Sequence, residues 1–256
     1  MKRIILLVLV PLLAFGHPFE IHNKHWMFGL PTGTDSTNDL IIRDAYALSS
    51  NDETKFADWV AYKLTPEETF GNLGLSRPFK KDPFLDDDET LNKADYVGAN
   101  TVMDYEKGHQ APLGSFVGTH IANQTNYFSN ITPQVGAMNG GPWKSLETKV
   151  RKRVVDFQEV WVMTGPIFET TMPDLPNTMK DHTIPSSYFK IVYIEDGSGI
   201  RAGAFIMGQD ATSASNLEDF IVSIDDVESR SGLVFFPDLV VLGSFKTDED
   251  GDWVIE

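Results

Sequence analysis

The sequence predicts an α+β fold with a central antiparallel β-sheet and flanking helices. Segments with strand composition outnumber those with helical periodicity, and few of the two kinds alternate along the chain. Regular alternation is the pattern of parallel βαβ units, so its scarcity favours antiparallel pairing. The chain contains no internal repeat and no low-complexity linker, and its length suits one large domain. We therefore expect a single domain over residues 17–256.

The first residues predict a secretory signal peptide over residues 1–16. A positively charged pair at residues 2–3 precedes an apolar run over residues 4–15, and the small residues Ala14 and Gly16 stand at positions −3 and −1 of the expected cleavage site before His17. This run is too short to span a bilayer as a stable helix, which disfavours the alternative of an uncleaved anchor. We expect a product that is secreted or periplasmic and has no membrane partner. Its core must hold without disulfides, because the chain has no cysteine.

The predicted elements of the mature chain begin with a hairpin. Residues 40–48 and 57–64 have strand composition, and the polar segment between them predicts a turn. Residues 65–100 are rich in proline, glycine and aspartate, which predicts a long surface excursion. A further strand is expected to end at Gly108-His109.

A helix is predicted over residues 142–155. Trp143, Leu146, Val150 and Val154 recur there at helical spacing, and Pro142 suits the first turn. The remaining predicted elements are strands at residues 160–168, 188–195, 202–207 and 233–236 and a short helix at residues 224–229 that ends at Gly232. Two groups of residues are expected to be structural: an exposed, mobile start with His17, His22 and His25, and a core with Trp59, Trp143 and Trp161.

The net charge argues against a nucleic-acid partner, but its distribution does not. Removing Lys2 and Arg3 leaves 19 basic against 37 acidic residues, a net charge of −18, and a field of that sign repels DNA and RNA on average. The basic residues cluster on both sides of a carboxamide-rich segment, and they are Arg77, Lys80, Lys81 and Lys107 before it and Lys144, Lys149, Arg151, Lys152 and Arg153 after it. Such a local positive groove can bind phosphate on an otherwise acidic body.

The predicted helix brings a carboxylate and a guanidinium to one face. Glu147 and Arg151 are four residues apart, about 40° round the helix. Asn139 stands just before Pro142, so its carboxamide is expected at the helix entrance, close to Glu147. The alternative interpretation is that Asn139 is a cap or turn residue and that Glu147 and Arg151 form a solvated ion pair.

His109 adds a base to this group. A neutral imidazole at a strand end can take a proton from water as the water attacks phosphorus. Carboxamide and carboxylate oxygens suit Mg²⁺ rather than Zn²⁺ as the metal ion. Arg77 and Arg151 are candidates for bidentate contacts to phosphate oxygens. Together these residues predict metal-assisted cleavage of a phosphodiester.

Three ordered motifs carry a resemblance to a known family. An Asp-Arg-Gly-His signature appears as Glu106-Lys107-Gly108-His109, followed by the matching residues 110–113. The run Asn-Tyr-x-Ser-Asn-Ile-Thr-Pro-Gln matches residues 126–134, and Asn-x-Gly-x-Trp-x-x-Leu-Glu matches residues 139–147, with Arg151 four residues later. By these motifs the chain resembles the DNA/RNA non-specific endonuclease family over most of its mature length.

The resemblance implies a ββα-metal active-site motif on the α+β scaffold. In that motif His109 would be the general base, and Asn139 would bind Mg²⁺ directly, with Mn²⁺ as a second usable ion. The other implied roles are contacts of Glu147 and Glu106 to the metal through water, and contacts of Arg77, Lys107, Asn130 and Arg151 to the phosphate. The implied function is a secreted endonuclease that cleaves DNA and RNA to 5′-phosphate products. Many members of the family are homodimers, so a homodimer is an expectation.

The signature itself departs from the family pattern at Glu106 and Lys107, which replace aspartate and arginine. Glutamate is one methylene longer than aspartate, and lysine is a point charge rather than a planar fork. We expect an active enzyme with a shifted metal preference or rate. The alternative is a catalytically impaired, secreted nucleic-acid-binding protein, for example one that captures DNA.

Overall fold

The computed structural model describes residues 23–74, 78–195, 197, 199–238 and 251–256. The predicted signal peptide and Arg77 lie outside the described residues. Within the described ranges, every helix is too short or too polar to cross a bilayer.

A large antiparallel sheet forms the centre of the described structure. Every neighbouring pair of its strands is antiparallel, which confirms the predicted sheet. In spatial order the strands are β1 (Asp39–Ile42), β2 (Ala47–Ser50), β3 (Ala57–Leu64), β6 (Val160–Ile167), β7 (Ser187–Glu195), β8 (Ile200–Gly208) and β9 (Ile221–Val222).

The first predicted strand is two strands in the structure. Residues 40–48 were expected to be continuous, but a turn separates β1 from β2, and the Arg43 amide donates to the Tyr46 carbonyl at 2.8 Å. The Gln124 side chain, distant in sequence, accepts from the Ala45 amide at 3.0 Å. This long-range contact helps to hold the turn, and the apolar composition of the segment does not reveal it.

Both faces of the sheet are covered, so its central strands are largely buried. All eight residues of β6 are buried. One face packs against α4 (Lys144–Phe157) and α6 (Asp252–Ile255), and the other packs against Trp26 and α5 (Ile224–Ser231). Alternate residues of β6 enter the two cores, with Val162 in the first and Trp161 in the second. Strands covered on both faces have near-continuous apolar sequences.

A second, two-stranded sheet carries the predicted site. β4 (Tyr105–His109) pairs antiparallel with β5 (Ile131–Val135), in a register that places Glu106 opposite Gln134 and His109 opposite Ile131. The loop between the strands contains three 3₁₀ helices, at Leu113–Ser115, His120–Asn126 and Phe128–Asn130. After β5 the chain enters α3 (Gly136–Met138), a π-helical turn (Asn139–Trp143) and then α4. This succession of two strands and a helix is the predicted ββα unit.

Residues 65–100 are not only a surface excursion. They include α1 (Pro66–Thr69) and the start of α2 (Ala99–Met103), and their side chains Leu91 and Tyr96 are buried beneath the small sheet with Phe128. The prediction was wrong because apolar residues that are sparse in the sequence converge on one core.

The predictions for the chain ends had mixed outcomes. His25 was expected to be exposed but is buried, and its Nε2 lies 2.7 Å from the Arg43 carbonyl oxygen. Residues 233–236 form only an isolated bridge between Val234 and Thr32 rather than a strand. The short helix is confirmed as α5, where Gly232 ends the helix with a φ of 75° that glycine adopts without strain. Among the described residues, the three tryptophans expected in the core are buried.

Candidate active site

A cleft of about 530 Å³ lies between β4, the following loop and the start of α4. It brings together five of the residues predicted from the sequence, which are Glu106, His109, Asn139, Glu147 and Arg151. Its other lining residues include Phe79, Asn126, Gly140 and Lys144. The cleft therefore combines an imidazole, two carboxylates, carboxamides and two cationic side chains.

Gly108 allows the two strands beneath the cleft to approach closely. A Cβ atom at this position would lie 2.0 Å from Oε1 of Gln134, the buried side chain on the paired strand. Any other residue would push the strands apart, so the Gly-His step is a steric requirement of the hairpin. The consequence is a fixed position for His109, the last residue of β4.

His109 is held as a neutral base with a defined tautomer. Its Nε2 lies 3.0 Å from Oδ1 of Asn126, which can only accept, so Nε2 carries the proton and Nδ1 keeps its lone pair. The ring also packs against Phe79, with 5.5 Å between centroids. Burial lowers the pKa of His109, and the hydrogen bond to Asn126 opposes that shift. The imidazole is therefore uncharged at neutral pH.

Asn126 lines the cleft and contacts His109, although the sequence did not single it out. It begins the motif at residues 126–134, so a signal was present, but its partner is 17 positions away in the sequence. The 3₁₀ helix that ends at Asn126 turns its side chain back towards β4.

Asn139 and Glu106 form a second pair in the cleft. The Asn139 Nδ2 donates to Glu106 Oε2 at 2.7 Å, and no described residue donates to Asn139 Oδ1. A carboxamide oxygen that is free and next to a carboxylate suits a hard cation such as Mg²⁺. The regular helix α4 begins at Lys144, two residues after the predicted start, because Asn139–Trp143 form a π-helical turn in which Gly141 is non-helical. Turns of this kind are frequent at functional sites.

Glu147 and Arg151 lie on the cleft face of α4, as their spacing predicts. Among the described residues they do not pair with each other, and Arg151 Nη2 instead donates to Thr148 Oγ1 at 2.7 Å. The alternative of a solvated ion pair is therefore not what the structure shows. Burial raises the pKa of Glu147, and the positive charges of Lys190, Arg151 and Lys144 oppose that rise.

Asn130 does not reach the cleft. It is fully buried, its Oδ1 accepts from the Ala111 amide at 2.8 Å, and its Nδ2 donates to the carbonyls of Ala111 and Thr125 at 3.0 and 2.8 Å. Because the backbone uses both ends of the carboxamide, the expected phosphate contact of Asn130 is wrong. The residue instead fixes the loop that carries Asn126.

Two cationic residues predicted for phosphate binding are not brought to the cleft by the described structure: Lys107 is not among its lining residues, and Arg77 lies outside the described residues. The Lys107 ammonium lies 5.5 Å from the Tyr96 ring centroid and 5.8 Å from that of Phe79. Lys144, noted in the sequence only as part of a basic cluster, does line the cleft.

A separate group of carboxylates could also hold a cation. Oxygen atoms of Asp39, Asp52 and Glu89 lie within 4.8 Å of one another. None of these residues lines the cleft. They are distinct from the oxygen ligands expected beside His109.

Comparison with known proteins agrees with this geometry. The model of the DNA/RNA non-specific endonuclease family matches residues 26–242. A nuclease of Serratia marcescens is 41% identical over 214 residues, covering 82% of this chain and 79% of the relative. Nuclease C1 of Cunninghamella echinulata var. echinulata is 34% identical, with 84% and 88% covered. Mitochondrial endonuclease G of Homo sapiens is 30% identical, with 86% and 75% covered.

A solved structure shows the same likeness in three dimensions. An EndoG chain from a complex of EndoG with EndoGI superposes with a TM-score of 0.66 at 25% identity, covering 78% of this chain and 86% of that chain. The family model spans most of the sequence and includes all of the cleft residues. The chain is thus a nuclease that belongs to the DNA/RNA non-specific endonuclease family.

Proposed function

We propose that the protein is a secreted, Mg²⁺-dependent endonuclease that hydrolyses both DNA and RNA and leaves 5′-phosphate ends. One observation carries the proposal: a neutral histidine with a free Nδ1 lies in the same cleft as the unshared Oδ1 of Asn139. A general base and a hard-cation ligand in one cleft are suited to metal-assisted hydrolysis of a phosphodiester.

His109 acts as the general base. Its Nδ1 takes a proton from the water that attacks phosphorus, and the imidazolium that forms donates through Nε2 to Asn126. The hydrogen bond to Asn126 thus fixes the ring orientation before the reaction and stabilises the charged ring after it. The low pKa of His109 keeps the base unprotonated at neutral pH.

The carboxamide and the carboxylates would hold the metal. Asn139 Oδ1 is the proposed direct ligand, oriented by the contact of its Nδ2 with Glu106. Glu106 and Glu147 would contact the ion through water, which matches the reluctance of Mg²⁺ to lose its hydration shell. When bound, the ion neutralises charge on the phosphate and on the leaving 3′ oxygen. Mn²⁺ accepts the same oxygen ligands and is the proposed substitute.

Cationic side chains at the cleft allow a chain of net negative charge to bind phosphate. Arg151 and Lys144 face the cleft and can bind the scissile phosphate. Arg77 and Lys107 remain proposed contacts for the substrate backbone, from their positions in the family motifs. Contacts to phosphate carry no base information, which supports the proposed lack of sequence preference. Secretion or a periplasmic location is proposed from residues 1–16, and homodimer formation stays a prediction.

The test is cleavage of supercoiled plasmid and of structured RNA by the purified protein. We expect both substrates to be cut with Mg²⁺ or Mn²⁺ and neither to be cut with EDTA. Polynucleotide kinase should label the 5′ ends of the products only after phosphatase treatment. Plasmid binding without nicking at any Mg²⁺ or Mn²⁺ concentration would instead support the DNA-capture alternative. Cutting of only one nucleic acid would refute the sugar non-specificity.

A further inference from the structure

A row of four aromatic rings leads from the core beneath the small sheet to the candidate active site. In order, the rings belong to Tyr96, Phe128, Phe79 and His109. Successive ring centroids are 5.6, 5.7 and 5.5 Å apart, and successive ring planes are tilted by 32°, 34° and 31°. Tyr96 and Phe128 are buried, whereas Phe79 is partly buried and lines the cleft. The row therefore ends at the imidazole.

The inner end of this row is tied to the strand opposite His109. The Tyr96 hydroxyl donates to the Ile131 carbonyl at 3.3 Å, and Ile131 is the residue of β5 that faces His109 across the two-stranded sheet. Both ends of the row are thus attached to one pair of facing residues. Aromatic rings at these separations attract each other beyond the area that they bury. The three rings behind His109 therefore form a support of fixed position.

The backbone next to Phe79 holds the second contact of the imidazole as well. The Lys80 amide donates to the Asn126 carbonyl, and the Lys80 carbonyl accepts from the Phe128 amide, both at 2.9 Å. The side chain of Asn126 is the hydrogen-bond partner of His109 Nε2. One backbone pairing therefore places both Asn126 at the edge of the imidazole and Phe79 against the ring.

We propose that Phe79 is a positioning residue that holds the imidazole of His109 in the orientation from which Nδ1 reaches the attacking water. This inference rests on the proposed function, in which His109 is the general base. The hydrogen bond at Nε2 fixes one point of the ring, but the χ2 torsion of histidine is broad and changes the ring plane. The neighbouring ring of Phe79 restricts that rotation.

Two competing roles for a phenylalanine in a cleft predict different measurements. If a nucleobase of the substrate stacked on Phe79, loss of the ring would raise KM and leave kcat unchanged. If Phe79 only stabilised the fold, its loss would lower Tm and leave kcat of the folded enzyme unchanged. A positioning role predicts that kcat falls while KM stays constant.

The experiment measures kcat, KM and Tm of full-length Phe79→Leu on plasmid with Mg²⁺, well below the Tm of each variant. We expect kcat to fall by about 10- to 100-fold, because small misplacement of a reacting group costs that much, with KM within about threefold of the wild type. Phe79→Tyr keeps a flat ring and should keep kcat within about threefold of the wild type.

The matched control is Phe84→Leu, the same substitution in the same segment of the chain. Phe84 is 65% exposed and does not line the cleft. Its kcat and KM should stay within about threefold of the wild type, as for an ordinary surface substitution.

The orientation of the imidazole can also be measured without cleavage. Nuclear magnetic resonance of protein with ¹⁵N-labelled histidine reports the tautomer, and His109→Ala identifies the signals of His109. In the wild type we expect the proton on Nε2, where it is held by Asn126. In Phe79→Leu we expect mixed tautomers or an Nε2 proton that exchanges faster with water.

Four outcomes would overturn the inference. They are a Phe79→Leu kcat within threefold of the wild type, a rise in KM alone, equal losses of kcat in Phe79→Leu and Phe79→Tyr, and unchanged His109 signals in Phe79→Leu. If Phe79→Leu does not fold, Phe79→Met carries the same expectations, and failure of both to fold overturns the positioning role. An inactive wild type would instead refute the proposed nuclease function, and the resonance comparison would still decide whether Phe79 orients the ring.

Discussion

Replacing Asp82 with asparagine is expected to destabilise the protein at the loop that positions His109, the proposed catalytic base. Asp82 is completely buried, and its carboxylate accepts from Arg43 Nη2, from Ser129 Oγ and from the Phe84 amide at 3.0 Å. Ser129 lies in the loop that also carries Asn126, the hydrogen-bond partner of His109. The carboxylate therefore links the core to the active site.

The environment of Arg43 sets the size of the destabilisation expected for Asp82→Asn. Its side chain is only 7% exposed, and its guanidinium lies 4.6 Å from the Phe84 ring centroid and 4.2 Å from that of Tyr127. Asp82→Asn leaves this charge buried without its counter-charge, which costs about 3–5 kcal/mol. In a protein of this size each kcal/mol lowers Tm by roughly 2–4 °C, so we expect a loss on the order of 10 °C.

The assay is thermal unfolding followed by circular dichroism, with Asp87→Asn as the matched control. Asp87 pairs with Lys81 at 2.6 Å, but their side chains are 80% and 48% exposed. Exposed pairs contribute little, so Asp87→Asn should leave Tm unchanged. The reasoning is refuted if Asp82→Asn lowers Tm by no more than this control.

Three other predictions concern pH and packing. Asn126→Ala should lower kcat about tenfold or more. It should also move the acid limb of the pH–rate profile to lower pH, because it removes the hydrogen bond that raises the pKa of His109. An unchanged profile contradicts this prediction. Burial lowers the pKa of His25 from 6.5 to about 4. The free energy of unfolding should therefore fall by about 3 kcal/mol as the pH decreases through that interval. His25→Gln should make this pH dependence, measured by urea unfolding, flatter. Trp253→Ala should lower the free energy of unfolding by about 3–5 kcal/mol in the same measurement, because the indole is buried and packs against Phe157. A loss below about 1 kcal/mol, close to that of an ordinary surface substitution, contradicts the packing.

Local geometry explains which parts of the cleft could be predicted from the sequence. Glu147 and Arg151 share a helix face because of their spacing, and Gly108 marks a close strand approach that places His109 at a strand end. The antiparallel sheet likewise follows from runs of apolar residues without intervening helices. The sequence signals for these features each lie within a few positions of the chain.

The parts that could not be predicted depend on distant contacts. Asn126 and Asn130 stand in one carboxamide-rich run, and only the fold shows that Asn126 faces His109 while Asn130 holds the backbone. Lys190 appears in the sequence as an isolated lysine in a strand, and its burial against the Trp143 ring depends on the packing of distant segments on the sheet. The division of residues 40–48 into two strands also depends on a distant side chain.

The most direct test of the central claim is plasmid nicking by His109→Ala in saturating Mg²⁺, with binding to the same plasmid measured in EDTA. We expect the cleavage rate to fall by about 10²- to 10⁴-fold, because the Nδ1 lone pair is lost, while the affinity for DNA and the Tm stay close to those of the wild type. Cleavage by His109→Ala within tenfold of the wild-type rate would contradict the assignment of His109 as the base.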